Sequence, residues 1–194
     1  IGEVLDTDKK TIVHIPNVNS GESTKDKYDE VDSIIDTIGT FQNKDADTGV
    51  ITIKRHSDGK LIKLADLVHD EPKDRDKIVE YLRTIDSVDD MDVIVALGMA
   101  KEGFDWSFCE HSLTVGYRGS LTEVIQIIGR CTRDSDNKTH AQFTNLIAQP
   151  DAEDVQVKVA VNNMLKAITC SLLMEQVLAP NFKFKTKLPD DTEA

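Results

Sequence analysis

Segments with the pattern of β-strands alternate along this sequence with segments that have the pattern of α-helices. The run Met91–Ala96 is nearly continuous in apolar residues, as expected of a strand that is covered on both faces of its sheet. Further strands are predicted at Thr11–Ile15, His111–Val115 and Ala141–Ile147. Because strands that alternate with helices are joined by crossovers, they lie parallel. The sequence therefore predicts an α/β fold with a mainly parallel sheet.

Four helices and one hairpin complete this prediction. The helices are Lys25–Ile38, which Gly39 ends, Pro72–Ile85, a helix that begins at Leu121, and Ala152–Leu178. The turn residues 57–59 separate the strand patterns Val50–Arg55 and Lys60–Leu64, which predicts a hairpin inserted before the second helix. We expect residues 1–150 to form one domain and residues 151–194 to form a C-terminal helical extension and tail.

The composition is that of a soluble globular protein, with 39% hydrophobic and 30% charged residues. No apolar run approaches the roughly 20 residues of a membrane-spanning helix, so we expect no membrane partner. Three widely spaced cysteines, Cys109, Cys131 and Cys170, predict neither a disulfide framework nor a metal site, and we expect a cytoplasmic location. Because the sequence begins at Ile1 rather than Met, we expect it to be a piece of a longer protein.

The formal net charge of -12 argues against a generally DNA-binding surface, because phosphate neutralisation needs basic residues gathered on one face. Between Val93 and Pro150, however, basic and acidic residues nearly balance. A local positive groove is therefore compatible with the sequence in that region.

The segment Ser120–Arg133 predicts a helix with two different faces. Ser120 and Glu123 form the spacing of a capping box, so the helix is expected to begin at Leu121. At about 100° per residue, one face is apolar and nearly the opposite face is polar. The apolar face holds Leu121, Val124, Ile125 and Ile128, and the polar face holds Gln126, Arg130 and Arg133. Two guanidinium groups and an amide are suited to gripping an anion such as a phosphate, and Gly129 would let a ligand or another backbone come close.

This segment, Gln126-x-x-Gly129-Arg130-x-x-Arg133, resembles motif VI of superfamily 2 helicases. A chance match to all four positions is on the order of one in a thousand by average residue usage. The resemblance implies a RecA-like three-layer α/β fold, with Arg130, Arg133 and Gln126 as catalytic residues that reach across a cleft to ATP. A surface helix with two solvated arginines is the alternative.

The segment Ala96–Trp106 resembles motif V of the same family, which ends in Gly-hydrophobic-Asp, here Gly103-Phe104-Asp105. The resemblance implies that Gly103 and Asp105, with Gly129, face the nucleotide, that Asp105 supports a motif VI arginine, and that Gly98 and Met99 contact the nucleic-acid backbone. Leu97 stands where many members have a threonine that donates to phosphate, so contact there would rest on backbone amides. The alternative is that Asp105 and Gly103 only shape a turn.

Two further segments carry weaker resemblances. The loop that contains Asn17 occupies the place of motif IV, which approaches the nucleic-acid backbone, although a plain loop is as good an interpretation. Two segments, Glu102–Trp106 and Tyr117–Ser120, resemble restriction-subunit and defence-type DEAD/DEAH translocases more closely than DEAD-box RNA helicases. In the second segment, Arg118 and Ser120 are candidate nucleic-acid contacts. The resemblance therefore favours DNA as the partner.

The sequence contains no Gly-x-x-x-x-Gly-Lys-Ser/Thr loop and no Walker B Asp-Glu pair. The resemblance therefore implies that ATP and Mg²⁺ are held mainly by an N-terminal RecA-like domain of the same parent chain, and that this chain alone is inactive. The apolar positions of the last helix favour both packing on this domain and docking a further domain or subunit. The alternative function is a non-catalytic RecA-like protein-interaction module, which the acidic charge and Leu97 favour. A third alternative is an independent small-molecule enzyme, but the sequence contains no Gly-rich dinucleotide turn and no nucleophile-base pair that would support it.

Overall fold

A computed structural model of the chain describes residues 1–16, 26–68, 71–97, 105–116, 121–146 and 154–178. The strands are β1 (Thr11–Ile15), β2 (Gly39–Lys44), β3 (Ile51–Arg55), β4 (Leu61–Asp66), β5 (Val93–Leu97), β6 (His111–Val115) and β7 (Gln142–Leu146). The helices are α1 (Lys27–Ile38), α2 (Pro72–Thr84), α3 (Leu121–Cys131) and α4 (Asp154–Leu178), with a short 3₁₀ turn at Val88–Asp90. These bounds confirm the predicted helices and strands to within two residues at each described end.

The strands form one sheet in the order β2-β3-β4-β5-β1-β6-β7. The five strands from β4 to β7 in this order are parallel to their neighbours, whereas β2, β3 and β4 pair antiparallel. The mainly parallel sheet and the inserted hairpin are therefore confirmed. β2 was not predicted, because five of its six residues are exposed and it shows no alternation of apolar and polar side chains.

Successive residues of the central strands enter two separate apolar cores, because side chains alternate between the faces of a sheet. Ile12 of β1 and Ile94 of β5 pack on one face together with α2, whereas Val13 and Val95 pack on the other face together with α1. The sheet thus lies between helices in three layers, which is consistent with the RecA-like fold that the resemblance implied.

The ends of α1 follow local chemistry. Asp26 caps the helix by accepting hydrogen bonds from the backbone N–H groups of Tyr28 and Asp29. The helix ends at Gly39 as predicted, and the chain passes directly into β2. Its buried face consists of Val31, Ile34, Ile35 and Ile38. On α2, Ile78 and Leu82 are buried and Tyr81 is partly buried, as is Ile85 directly after the helix, which confirms the predicted inward face.

Helix α4 packs on α3. Ala167 is fully buried against Val124 and Ile128 of α3, and Phe143 of β7 adds to the same cluster. Away from this contact, α4 leaves Val155, Val159, Val161, Leu165 and Leu173 exposed. In the part of the chain that the structure describes, no helix has the length and apolarity needed to cross a membrane.

Candidate functional site

The structure describes five of the predicted site residues. Gln126, Gly129 and Arg130 lie on α3, Arg133 follows that helix, and Asp105 precedes the buried Trp106. The remaining predicted residues, Asn17, Gly98, Met99, Gly103, Arg118 and Ser120, lie outside the described residues, as do the capping box at Ser120 and the tail.

The expected geometry of α3 needs one correction. The helix ends at Cys131, so Arg133 lies two residues beyond it and not on the polar face with Gln126 and Arg130. Just beyond the end of the helix, the Thr132 N–H group donates a hydrogen bond to the Ile128 carbonyl at 3.2 Å. Arg133 therefore lies in the segment that follows the helix, and the direction of its side chain is not set by the 100° step of helical residues.

The apolar face of α3 is also wider than predicted. Val124 and Ile128 are buried as expected, but Ile127 and Cys131 are buried as well and Ile125 is only partly buried. The reason is that α3 is covered from two directions, by α4 and by the sheet. Ser112 of β6 donates a hydrogen bond to the Ile127 carbonyl at 3.3 Å, which fixes the helix to the sheet.

An ion pair joins the two motif segments. Arg133 donates from Nη1 to a carboxylate oxygen of Asp105, although the residues are 28 positions apart in sequence. The two side chains retain 53% and 60% of their exposure, so both remain accessible to a ligand or to another domain. Exposed ion pairs contribute little to stability, and this contact is therefore better suited to orienting the arginine than to holding the fold together.

Arg130 has a different environment from Arg133. Arg130 is only partly exposed, and burial lowers the pKa of its guanidinium group below the usual value. The neighbouring charge of Arg133 lowers this pKa further, while Asp105 opposes the shift. The usual pKa of arginine is so high that the group still carries its charge at neutral pH. The site therefore presents two positive charges close to one carboxylate.

Gly129 lies next to Arg130 on open surface. Among the described residues, a Cβ atom built on Gly129 would meet no atom within 4 Å. The described part of the chain therefore gives no steric reason for a glycine in the interior of a helix, where alanine is favoured by about 1 kcal/mol. The open space is compatible with the close approach that the sequence predicted for this position.

The loop 105–110, which contains Asp105, is anchored in the core. Trp106 is 3% exposed and packs with Cys109 of the same loop and with Cys131 of α3. Burial raises the pKa of the Cys109 thiol to about 12, so this thiol stays protonated at neutral pH. Cys109 and Cys131 therefore act as small apolar residues that bring the loop and the helix end together.

Sequence reasoning assigned no role to Asn137 and Lys138, yet both contact the main chain of the loop 105–110. No sequence signal marks such contacts, because a carbonyl acceptor is present at every residue and leaves no trace in residue type. Across the described ranges, no group of three or more His, Cys, Asp or Glu residues is arranged to hold a metal ion.

The fold and the paired motif segments define a class: an α/β chain of RecA-like type that presents two arginines beside one aspartate. No protein-family model matches the chain. It is 71% identical over 187 residues, which is 96% of its length, to a protein of Bacillus subtilis (strain 168) named "Putative ATP-dependent helicase YeeB". The chain spans 31% of the length of that relative. That relative is thus named as a helicase, which is the class of protein that the motif resemblances implied.

Proposed function

We propose that this chain is the second RecA-like domain of an ATP-dependent nucleic-acid helicase or translocase of superfamily 2, of the restriction or defence type that its motif wording resembles. The observation that carries the proposal is the ion pair between Asp105 of the motif V segment and Arg133 of the motif VI segment. The name of the Bacillus subtilis relative supports the ATP-dependent helicase part of this proposal. The motif match depends on residue type and spacing along the sequence, whereas the ion pair depends on how the fold places Asp105 and Arg133.

In the proposed mechanism, an N-terminal RecA-like domain of the parent chain holds ATP and Mg²⁺, and this domain closes on them. Arg130 and Arg133 then stabilise the negative charge that develops on the transferring phosphoryl group. An arginine placed in this way contributes about 10³ to 10⁵ in rate. The partly buried Arg130 is suited to a fixed contact, whereas the more exposed Arg133 is suited to one that forms on closure.

The remaining predicted residues complete the proposal. Gln126 and Gly129 would face the nucleotide beside the arginines, together with Gly103. Asn17, Gly98, Met99, Arg118 and Ser120 would contact the nucleic acid, which we propose to be DNA. Alternate opening and closing of the two domains would couple hydrolysis to movement along the strand, because each ligand favours one of the two states.

The test is ATP hydrolysis by the full-length parent protein, alone and with single-stranded DNA, duplex DNA or RNA. We expect DNA to stimulate hydrolysis, and we expect Arg130→Ala and Arg133→Ala to lower kcat by about 10³-fold or more while ATP still binds. Arg83→Ala, which changes an exposed arginine in the last turn of α2, is the matched control and should leave kcat unchanged. The 194-residue chain alone should hydrolyse no ATP.

Hydrolysis that is indifferent to both arginines would contradict the proposed role of Arg130 and Arg133. RNA as the better stimulant would correct the nucleic acid but retain the motor. Hydrolysis by the isolated chain would contradict the proposal that the phosphate site lies in another domain.

A second candidate function is a non-catalytic protein-interaction module. The exposed apolar side chains of α4, among them Val155, Leu165 and Leu173, favour this alternative, because such residues are suited to a partner surface. The net charge of -12 also favours it. A parent protein that binds no ATP and lacks a Gly-x-x-x-x-Gly-Lys-Ser/Thr loop would support the module over the motor.

A further inference from the structure

The ammonium group of Lys138 connects two segments that are distant in sequence. It donates hydrogen bonds to the carbonyl oxygens of Ser107 at 2.8 Å, of Cys109 at 2.9 Å and of Cys131 at 3.2 Å. An ammonium group has three donors and no acceptor, so one lysine uses its whole capacity here. Lys138 thereby joins the loop 105–110 to the last residue of α3.

The position of the Lys138 ammonium group, at the C-terminal end of α3, also suits a positive charge. The last four carbonyl groups of a helix lack helical partners, and the C-terminal end of the helix carries a partial negative charge. Cys131 is the last residue of α3, so Lys138 satisfies one of these carbonyl groups while it binds two more from the loop. The lysine is partly buried, which strengthens such contacts relative to fully exposed ones.

A second contact reinforces the first. Asn137 donates from Nδ2 to the Phe108 carbonyl at 3.1 Å, and its Oδ1 atom accepts a hydrogen bond from the Ser135 hydroxyl at 2.6 Å. The Lys138 N–H group binds the Ser135 carbonyl at 3.2 Å, which closes the turn that carries both side chains. The two residues therefore reach the loop 105–110 from a defined turn.

These contacts lie immediately beside the ion pair of the candidate site. Ser107 follows Asp105 by two residues, and Cys131 precedes Arg133 by two residues. Asp105 and Arg133 are both more than half exposed, so their own contact cannot fix the separation of the two backbones. The bonds of Lys138 to main-chain atoms on each side do constrain that separation.

We propose that Lys138 is a positioning residue, whose three main-chain hydrogen bonds hold Asp105 and Arg133 in the geometry that ATP hydrolysis requires; this inference rests on the function proposed above. Lys138 touches neither nucleotide nor nucleic acid in this role. It acts through the backbone positions of the loop 105–110 and of the end of α3.

The first test is steady-state ATP hydrolysis by the parent protein with saturating nucleic acid. Lys138→Met keeps most of the aliphatic stem and removes the donors. A misplacement of catalytic groups by about 1 Å costs on the order of 100-fold, so we expect kcat to fall by about that factor. The KM for ATP should change little, since the arginines act mainly in the transition state. Lys138→Arg retains charge and donors and should recover part of the loss.

Lys77→Met is the matched control. Lys77 also donates from its ammonium group to a main-chain carbonyl, that of Ala46 at 3.0 Å, but it belongs to α2 and not to the site. Its kcat should equal that of the wild type. If Lys138→Met also has the wild-type kcat while Arg133→Ala is inactive, the positioning role is overturned and the proposed function stands.

The second test uses the 194-residue chain and does not depend on hydrolysis. Trp106 is the single tryptophan, it is 3% exposed, and it follows Asp105 directly. Lys138→Met should increase acrylamide quenching of Trp106 fluorescence with an unchanged far-UV circular dichroism spectrum, whereas Lys77→Met should not. Unchanged quenching would overturn the positioning role even if the parent protein proves to hydrolyse no ATP, an outcome that would by itself refute only the proposed function.

A variant that does not fold would be recognised by its circular dichroism spectrum. In that case Lys138→Gln, which keeps a polar side chain but replaces the three ammonium donors by the two N–H groups of one shorter amide, takes its place in both tests. It should give a smaller loss of kcat and a smaller rise in quenching. Wild-type values in both measurements would overturn the proposal.

Discussion

The ion pair between Lys10 and Asp92 offers a quantitative test of how the sheet is held together. Lys10 Nζ lies 2.7 Å from Asp92 Oδ1, and the two side chains are only 12% and 11% exposed. Asp92 Oδ2 also accepts a hydrogen bond from the Lys63 N–H group at 2.8 Å. The pair therefore joins the residue before β1 to the residue before β5, at the end of the sheet where the parallel strands begin.

Removal of Lys10 would leave a carboxylate with little water and no compensating cation. Breaking a buried pair in this way costs about 3–5 kcal/mol. Asp92 keeps its hydrogen bond from the Lys63 N–H group and some exposure to water. We therefore expect Lys10→Met to lower the free energy of unfolding by about 3 kcal/mol, the lower end of that range. For a chain of this size the melting temperature should fall by about 6–12 °C.

The assay is urea unfolding of the 194-residue chain at pH 7, followed by far-UV circular dichroism. The matched control is Lys44→Met, since Lys44 forms a pair with Asp74 at 3.0 Å in which the side chains are 37% and 36% exposed. We expect that control to cost less than about 1 kcal/mol. Adding Asp92→Asn to Lys10→Met should recover part of the loss, because the uncompensated charge is then absent.

Equal destabilisation by Lys10→Met and Lys44→Met would refute this reasoning, since burial would then not decide the contribution of the pair. A double variant that is less stable than Lys10→Met alone would refute it as well. In that case the carboxylate would stabilise the sheet through its backbone contact rather than through the lysine.

Two further predictions concern the glycines and the cysteines. Gly129→Ala should raise the free energy of unfolding by up to about 1 kcal/mol, because the added Cβ meets open space in a helix. The same variant should lower ATP hydrolysis by the parent protein. Gly49→Ala, at a φ of 75°, should instead lower the free energy of unfolding by about 1–2 kcal/mol. Urea unfolding and an ATPase assay check both, and a stabilised Gly129→Ala with full activity would contradict a close approach at that position. Iodoacetamide at pH 8 should alkylate the half-buried Cys170 well before Cys109 and Cys131, because burial raises the pKa of both latter thiols and keeps them protonated. Mass spectrometry of peptides measures the order, and early labelling of Cys109 would contradict its burial.

The candidate site was only partly accessible to sequence reasoning. The spacing of Gln126, Gly129, Arg130 and Arg133 is a linear pattern, so it was visible without a structure. The end of α3 at Cys131 was not, because the same residues are compatible with one more helical turn. Arg133 therefore belongs to the turn that follows the helix, and its roles in catalysis and those of its neighbours stay predictions.

Burial within α3 shows a similar division. Amphipathic periodicity identified Val124 and Ile128 as core residues, since one buried stripe suffices for a helix that packs on a single surface. Ile127 and Cys131 are buried as well, because α4 and the sheet cover the helix from two sides. The position of α4 is a long-range property that the spacing of residues within α3 does not encode.

The sequence by itself determined the α/β class, the positions of most helices and strands, and the motif pattern on α3, because these depend on periodicities and end signals that act over a few residues. Only the tertiary structure decided that β2 extends the sheet, that Asp105 meets Arg133 across 28 positions, and that Lys138 bridges the loop 105–110 and the end of α3. The physical reason is that an exposed edge strand, an ion pair and a hydrogen bond to a carbonyl group depend on which distant segments the packed sheet brings together.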